Sequence, residues 1–368
     1  MSTSTKAIKA KTPKTKSTKK AINVTTKKLF AYSGSKHKYR AQLQNIVSRL
    51  NVKKVSTYIE PFAGSLGSFF HIIEMIEADK IILNDINPKM TNIFQQIKDN
   101  PKQVAHGYSK LEEMFQSFLP EGFKSRVKKE NRHLMTDARD FYHCVRDYIN
   151  DADFTANHAA AMIFVLNHNY NGLYSESKKG HFNIAFNWNA KRINHTDMST
   201  LIQQIHEILT TKHVEIYTMD VFELLHQFND PDTFIYLDPP YIDNTIKYVA
   251  DGFDLSLHNQ MKLVQMTNKY NYVMYSNHHH EAFASFFGDY VNFYRTNRIS
   301  KSKSKKPAEI MAYKINKLSK AVNNAEFQQA KISSTQFTHP MLDSLMDTEQ
   351  KPANKSIPKS INPSDFTA

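Results

Sequence analysis

The chain of 368 residues is 40% hydrophobic and carries a formal net charge of +13, and its single cysteine, Cys144, excludes a disulfide framework and a cysteine-based zinc site. No run of about 18 apolar residues is present, and no apolar core follows the basic N-terminus, so we expect neither a transmembrane helix nor a secretory signal. These properties predict an intracellular protein, in the cytoplasm or in a nucleus.

Lysines are concentrated at the N-terminus. Residues 1–28 hold nine lysines and no acidic residue, so only +4 of the +13 remains on the rest of the chain. A Ser/Thr/Lys segment cannot bury a core, which predicts a disordered tail at 1–28. Its composition suits affinity for a polyanion, nuclear targeting or simple solubilisation. Polar composition with scattered prolines predicts a second, mostly disordered tail at 317–368.

The folded part begins as an alternation of helix and strand. An apolar stripe predicts a helix over 38–50, and residues 56–60 are typical of a strand. This strand enters a turn at 61–68, which opens a helix to about residue 77. A second strand over 80–83 ends at Asn84-Asp85. Such an order indicates an α/β fold.

Residues 89–187 break the alternation. The segment is mostly helical, polar and aromatic, and it is too long for a crossover between parallel strands. It contains a predicted helix over 156–167. Strand-like runs around Gly172 and Lys179-Gly180 predict a β-hairpin. We therefore interpret 89–187 as a subdomain inserted into an α/β core formed by 29–88 and 188–316.

The alternation resumes after the insertion. The remaining predicted helices cover 198–210 and 257–269. The remaining predicted strands cover 214–218, 234–237, 272–275, 289–294 and 310–315.

A stiff loop follows the buried strand 234–237. Its sequence is Asp238-Pro239-Pro240-Tyr241, and two prolines prevent the strand from continuing. Open α/β sheets bind ligands at the carboxyl ends of their strands. Here a carboxylate and a backbone carbonyl can accept the two hydrogens of an exocyclic amino group, while Tyr241 stacks on a planar base. The alternative is an ordinary exit from a strand, with Asp238 capping the turn.

Two upstream features indicate a cofactor with an adenosine moiety. Phe62 to Gly67 forms a glycine-containing turn between a strand and a helix, and Asp85 follows 21 residues after Gly64. An acidic residue at this spacing accepts hydrogen bonds from ribose hydroxyls in nucleotide-binding sheets. Leu66 stands where a nicotinamide dinucleotide fingerprint requires glycine, which favours S-adenosylmethionine over NAD.

Two further motifs have alternative interpretations. Lys36, in Ser33-Gly34-Ser35-Lys36, can hold a carboxylate or be a charge at the end of the tail. Asp220-Val221-Phe222 follows a strand and can bind and stack on adenine, or Asp220 can cap a helix.

Taken in order, the motifs resemble those of the Dam-type family (alpha group) of adenine-N6 DNA methyltransferases. The resemblance covers residues 29–316. It is carried by Ser33-Gly34-Ser35-Lys36, Glu60-Pro61-Phe62-Ala63-Gly64, Asn84-Asp85-Ile86-Asn87-Pro88, Leu166-Asn167, Tyr170-Asn171-Gly172-Leu173, Gly180-His181-Phe182-Asn183, Asp220-Val221-Phe222, Asp238-Pro239-Pro240-Tyr241 and Ser276-Asn277-His278.

The resemblance implies a Rossmann-like, S-adenosylmethionine-dependent methyltransferase core with an inserted, mainly helical target-recognition subdomain and a β-hairpin. The implied catalytic residues are Asp238, Pro239, Pro240 and Tyr241. The implied donor-binding residues are Tyr32, Lys36, Phe62, Ala63, Gly64, Asp85, Asp220, Val221, Phe222 and Asp238. The implied DNA-binding residues are Tyr170, Asn171, Leu173, Ser175, Arg295, Arg298, Lys301 and Lys303.

The sequence departs from the family pattern in the recognition segment. Familiar GATC-methylating members carry an arginine that reads guanine where this chain has Ser175. Serine cannot make the bidentate contact with guanine that arginine makes, which argues against GATC as the target. A basic stretch at Lys124–Arg132 and the run from Arg295 to Lys306 suit contacts with the DNA backbone, or are solvated loops.

The sequence therefore predicts an enzyme that methylates adenine N6 in double-stranded DNA. An RNA adenine methyltransferase and a catalytically silent nucleic-acid-binding homologue are the alternatives. A companion restriction endonuclease and a monomer or weak dimer are expected. No metal is expected, because the adjacent His278, His279 and His280 point in different directions and have no evident partner ligand.

Overall fold

The computed structural model describes residues 28–121, 123, 127–189, 195–242, 256–287, 291–294 and 309–316. The predicted tails at 1–28 and 317–368 lie outside these residues, except for Lys28. So do Lys124 at the start of one basic stretch and Arg295, Arg298, Lys301 and Lys303 of the other.

One mixed sheet holds the strands of the described chain. Its strands are β1 (Lys54–Glu60), β2 (Glu77–Asn84), β3 (Val214–Tyr217), β4 (Thr233–Leu237), β5 (Tyr272–His278), β6 (Val291–Tyr294) and β7 (Glu309–Ile315). Their order across the sheet is β3-β2-β1-β4-β5-β7-β6. β1 to β5 are parallel, and β7 is antiparallel to both β5 and β6. The predicted Rossmann-like α/β fold is confirmed.

Helices cover both faces of the sheet, which explains why every residue of β4 is buried. They are α1 (Arg40–Leu50), α2 (Phe69–Ile72), α3 (Pro88–Asp99), α4 (Pro101–Ser117), α5 (Thr136–Asp151), α6 (Ala156–His168), α7 (His195–Thr211), α8 (Val221–Gln227), α9 (Leu257–Met266) and α10 (Glu281–Phe287). None of the helices in the described part of the chain is long and apolar enough to cross a bilayer.

Local sequence explains where the key helices begin. Pro88 occupies the first turn of α3, and the Asn87 side chain accepts a hydrogen bond from the Lys89 amide as its N-cap. Thr155 caps α6 in the same way. α6 is apolar on almost all sides and lies at the centre of the insertion, where α3, α4 and α5 pack around it.

The hydrophobic core divides at the sheet. One cluster of buried side chains runs from one face of the sheet through α3 to α7, so the helices of the insertion share a core with the sheet. A second cluster lies on the other face beneath α8, α9 and α10. The boundaries predicted at 88/89 and 187/188 stay predictions.

Two predicted elements differ in the structure. The helix expected to extend to residue 77 is the four-residue α2, because β2 already begins at Glu77, whose amide donates to the Lys53 carbonyl. The predicted β-hairpin consists of two isolated antiparallel bridges, Asn169 to Phe186 and Glu176 to Phe182. Between them, Asn171 and Gly172 have positive φ angles of 57° and 63°, which interrupt the extended backbone.

Candidate active site

The loop 238–241 lies at the carboxyl end of β4, beside the end of β1. Ile59 of β1 pairs with Ile235 of β4 in parallel register, so the turn after β1 and the loop after β4 emerge at the same edge. Asp238 is largely buried, with 14% of its side chain exposed. Among the described residues, none donates a hydrogen bond to the Pro239 carbonyl.

Lys36 contacts the loop 238–241. Its Nζ atom donates to both carboxylate oxygens of Asp238 at 2.6 Å and lies 5.0 Å from the centre of the Tyr241 ring. Burial raises the pKa of Asp238, and the charge of Lys36 opposes that rise. Lys36 is therefore not a solvated charge at the end of the tail, because its side chain is only 5% exposed and pairs with Asp238.

Buried amide side chains fix the loop from behind. Gln260 of α9 donates to the Pro240 carbonyl at 2.8 Å, and Asn277 of β5 accepts from the Ile242 amide at 3.1 Å. Gln260 also accepts hydrogen bonds from Asn277 and Tyr275. The His278 ring lies 5.0 Å from that of Tyr241, edge to face. The sequence did not predict a role for Gln260. A glutamine among the apolar residues on the buried face of an amphipathic helix is the pattern from which such a role could have been predicted.

The turn after β1 meets Asp85 directly. The Gly64 amide donates to one carboxylate oxygen of Asp85 at 2.9 Å, and the Asn87 amide donates to the other at 3.0 Å. Burial raises the pKa of Asp85 to about 6. A small cavity adjoins this contact and is lined by Gly64, Asp85 and residues of α3. Ala63 also lines this cavity, whereas Lys36, Phe62, Asp220 and Phe222 do not.

Leu66 adopts a conformation that favours glycine. Its φ angle is +57°, and its side chain is fully buried and lines the cavity. A branched residue in the left-handed region costs on the order of 1 kcal/mol or more, and surrounding packing must hold it there. The turn therefore keeps a glycine-like backbone although the sequence has leucine.

Asp220 caps α8. One of its carboxylate oxygens accepts hydrogen bonds from the amides of Phe222 and Glu223, so the capping interpretation is confirmed. The second oxygen has no part in the cap. Asn84 ties this segment to the turn after β1, since its amide group donates to the carbonyls of Pro61 and Met219.

Tyr32 stands between the turn after β1 and the recognition segment 169–186. A Cβ atom on Gly64 would lie 3.3 Å from the Tyr32 ring, and the ring centre is 6.0 Å from that of Tyr174. The Ser33 amide donates to the Gly172 carbonyl at 2.8 Å. Residues 32–36 thus contact the Gly64 turn, the recognition segment and Asp238.

The predicted DNA-binding residues that the structure describes lie on this segment. Tyr170 is 49% exposed, which is unusual for a tyrosine, and Asn171 is also exposed. Leu173 and Ser175 are partly exposed. Arg132 of the basic stretch lies over the Trp188 ring at 5.0 Å, which the sequence did not predict.

Glu60 is a buried acid that is absent from the predicted site residues. It ends β1, is fully buried, and accepts hydrogen bonds from Tyr58 at 2.7 Å and from Ser68. Burial raises its pKa to about 8, so the side chain is mostly neutral at pH 7.

The histidines after β5 have local partners. His278 Nδ1 contacts the Ile242 carbonyl at 2.8 Å, and His280 Nδ1 accepts from the Ala282 amide. Within the ranges that the structure describes, no group of three or more His, Cys, Asp and Glu side chains is arranged to hold a metal ion.

Known proteins match this chain over most of its length. The relatives include the Type II methyltransferase M.MjaIII of Methanocaldococcus jannaschii, which is 26% identical over 66% of this chain and 80% of its own length. The Type II methyltransferase M1.LlaDCHI of Lactococcus lactis is 25% identical over 74% of this chain and 91% of its own. A DNA adenine methylase of Vibrio cholerae is 22% identical over 57% and 66%.

A family model covers the site as well as the fold. The model of the D12 class N6 adenine-specific DNA methyltransferases matches residues 32–306, a range that includes Lys36, Gly64, Asp85 and Asp238. The chain therefore belongs to the D12 class of N6 adenine-specific DNA methyltransferases.

Proposed function

We propose that this DNA adenine methyltransferase transfers a methyl group from S-adenosylmethionine to N6 of an adenine flipped out of double-stranded DNA, with residues 238–241 as its catalytic loop. The observation that carries the proposal is the buried Asp238 carboxylate beside the Pro239 carbonyl and the Tyr241 ring. These groups match the two hydrogens and the flat ring of the target base.

The residues beside the loop fit the methyl donor. Asp85 supports an adenosine site beside the Gly64 turn, because it keeps lone pairs for ribose hydroxyls after it accepts hydrogen bonds from the two backbone amides. The second oxygen of Asp220 suits the adenine amino group. Phe62, Ala63, Val221 and Phe222 complete the proposed site, and Tyr32 and Lys36 border it.

When bound, the donor supplies an electrophilic methyl group on a sulfonium. The N6 nitrogen is a poor nucleophile because its lone pair is delocalised into the ring. Asp238 and the Pro239 carbonyl accept its two hydrogens, which takes the lone pair out of conjugation with the ring, directs it toward the methyl group and stabilises the positive charge that develops on nitrogen. The N–C bond forms as the S–C bond breaks, and nitrogen loses one proton after the transfer. Tyr241 stacks on the base, and positioning supplies most of the rate.

The loop is reached only by a base that has left the duplex, which costs a few kcal/mol. Tyr170, Asn171, Leu173 and Ser175 are placed on one segment and are the proposed contacts beside the target. Ser175 cannot make the bidentate guanine contact, so we propose a recognition sequence other than GATC. Arg295, Arg298, Lys301 and Lys303 are proposed contacts with the DNA backbone.

The names of two relatives support a companion restriction endonuclease, because both are Type II methyltransferases. A monomer or a weak dimer is part of the proposal. A DNA substrate also supports an intracellular location.

Incubation with labelled S-adenosylmethionine and either duplex DNA or RNA tests the proposal. We expect label in DNA, recovered as N6-methyladenine, and sequencing of the product then gives the methylated site. Label in RNA alone, or as N4-methylcytosine, contradicts the proposal. Binding of the donor and DNA without transfer indicates a silent homologue.

A further inference from the structure

A buried ion pair joins the recognition segment to the first turn of α3. Lys89 Nζ contacts Glu176 Oε1 at 2.9 Å and donates to the Gly180 carbonyl at 2.8 Å. The side chains of Lys89 and Glu176 are only 12% and 7% exposed. Burying two charges is costly, so the pair is weak evidence for stability. A role in fixing the position of this segment relative to α3 explains it better.

The Glu176 side of the pair leads to the Gly64 turn. Tyr174 is fully buried and donates to the same oxygen, Glu176 Oε1, at 2.8 Å. Its ring packs against Tyr32, whose ring lies against Gly64. A displacement of Glu176 therefore disturbs Tyr174 and, through Tyr32, the turn that borders the proposed donor site.

The Lys89 side of the pair leads to the same turn by another route. The Lys89 amide donates to the Asn87 side chain at 3.0 Å, and the Asn87 amide donates to Asp85 at 3.0 Å. The other oxygen of Asp85 accepts from the Gly64 amide. One chain of contacts thus leads from each member of the ion pair to the Asp85–Gly64 contact, through Tyr174 and Tyr32 on the Glu176 side and through Asn87 on the Lys89 side.

We propose that the Lys89–Glu176 pair couples DNA binding to methyl-donor binding, with both residues acting as positioning residues; the inference rests on the proposed function. Duplex DNA favours the closed pair, because an unpaired Glu176 would place a negative charge beside a polyanion. The donor favours it as well, because the closed pair holds Asp85 in place. Each ligand therefore raises the affinity of the other, and the two effects are equal.

The affinity of S-adenosylhomocysteine, measured by calorimetry with and without a duplex carrying the methylated site, tests this coupling. We expect the duplex to tighten binding to the wild-type protein by about fivefold or more, within the usual range of coupling between sites. Glu176→Gln keeps an acceptor for Tyr174 but removes the charge, and Lys89→Met removes the partner. Both variants should lose the tightening by the duplex, and they should bind S-adenosylhomocysteine alone more weakly than the wild type, because the closed pair favours the donor.

Two further proteins complete the test. The double variant should behave like either single variant, because the pair acts as a unit. Lys80→Met breaks the exposed Lys80–Glu215 pair and should keep full coupling. Absence of tightening in the wild type, or tightening that survives in both Glu176→Gln and Lys89→Met, overturns the inference and leaves the proposed function intact. Failure of the wild type to bind S-adenosylhomocysteine at all overturns the proposed function as well.

Discussion

Among the described residues, Lys36 is the only cation that directly contacts Asp238. Through this contact, Lys36 influences the pH at which the Asp238 carboxyl ionises and therefore the pH dependence of activity. Burial raises the pKa of the Asp238 carboxyl, while Lys36 lowers it. An ionised Asp238 accepts the hydrogens of the target amino group better than a protonated one. The rate should therefore fall as the pH drops through the pKa of Asp238.

Replacing Lys36 with methionine should shift the acidic limb of the pH profile upward. Without the lysine charge, the pKa of Asp238 rises further and a higher pH is needed to ionise it. The profile of kcat/KM against pH for the free enzyme measures this shift, and Lys36→Arg, which keeps the charge, serves as the control. An acidic limb with the same midpoint in Lys36→Met and wild type would refute the assigned electrostatic role.

Glu60 makes stability depend on pH. Its pKa is raised from 4.5 to about 8 in the folded protein, so folding favours the neutral acid. The stabilisation linked to this proton is complete below about pH 4.5 and is lost as the pH rises through 8. The loss is on the order of a few kcal/mol.

Glu60→Gln should flatten this dependence, because glutamine has the shape of the neutral acid and does not ionise. Urea unfolding between pH 5 and pH 8 should show the wild type losing stability relative to the variant. Glu121→Gln, at an exposed position, is the matched control and should follow the wild type. Parallel curves for Glu60→Gln and wild type would show that Glu60 is ionised throughout.

At the scale of elements, α9 and β5 hold the catalytic loop in place. Gln260→Ala would leave the Pro240 carbonyl without its buried donor, at a cost of about 1–3 kcal/mol, and would remove the acceptor that Tyr275 and Asn277 share. The displaced loop should lower kcat on the order of a hundredfold.

Steady-state kinetics at saturating DNA and donor measures the effect of Gln260→Ala, and the affinity for S-adenosylhomocysteine should change little. Gln265→Ala is the control, because Gln265 lies on the same helix with its side chain exposed. An unchanged kcat would mean that the loop keeps its conformation without Gln260.

The elements that sequence periodicity predicts best are those with one clear pattern. The fully buried β4 and the amphipathic α7 lie close to their predicted positions. The helix after the Gly64 turn is overestimated, because helical spacing alone does not show that Glu77 already pairs with β1. The hairpin is reduced to isolated bridges because Asn171 adopts a positive φ angle. Asparagine tolerates this conformation, but its presence in the sequence is not enough to predict it.

At the scale of the molecule, the sequence predicts which residues lie at the site, but it does not predict which of their side chains contact each other. The strand ends predict that Asp85, Asp220 and Asp238 lie at one edge of the sheet. The contact between Lys36 and Asp238 spans 202 residues, and no local pattern encodes it. The same holds for Lys89 and Glu176, since pairing across 87 residues depends on how the insertion packs on α3.

Charge is also distributed unevenly over the molecule. Residues 1–28 contain nine lysines, and removing them should weaken DNA binding and reduce its dependence on salt. The slope of log Kd against log salt should fall by about 0.9 for each phosphate that the tail no longer neutralises. Binding titrations over a range of salt measure it, with a full-length variant that has glutamine at the nine positions separating charge from chain length. An unchanged slope in both proteins would exclude the tail from DNA binding.

The most direct test of the central claim is the yield of N6-methyladenine in duplex DNA, measured by mass spectrometry, for the wild type and for Asp238→Ala. We expect product from the wild type, a loss of at least about a hundredfold in Asp238→Ala, and nearly unchanged binding of S-adenosylhomocysteine. Asp79→Ala, at a 65% exposed position, should be fully active. Turnover by Asp238→Ala close to that of the wild type would contradict the assignment of residues 238–241 as the catalytic loop.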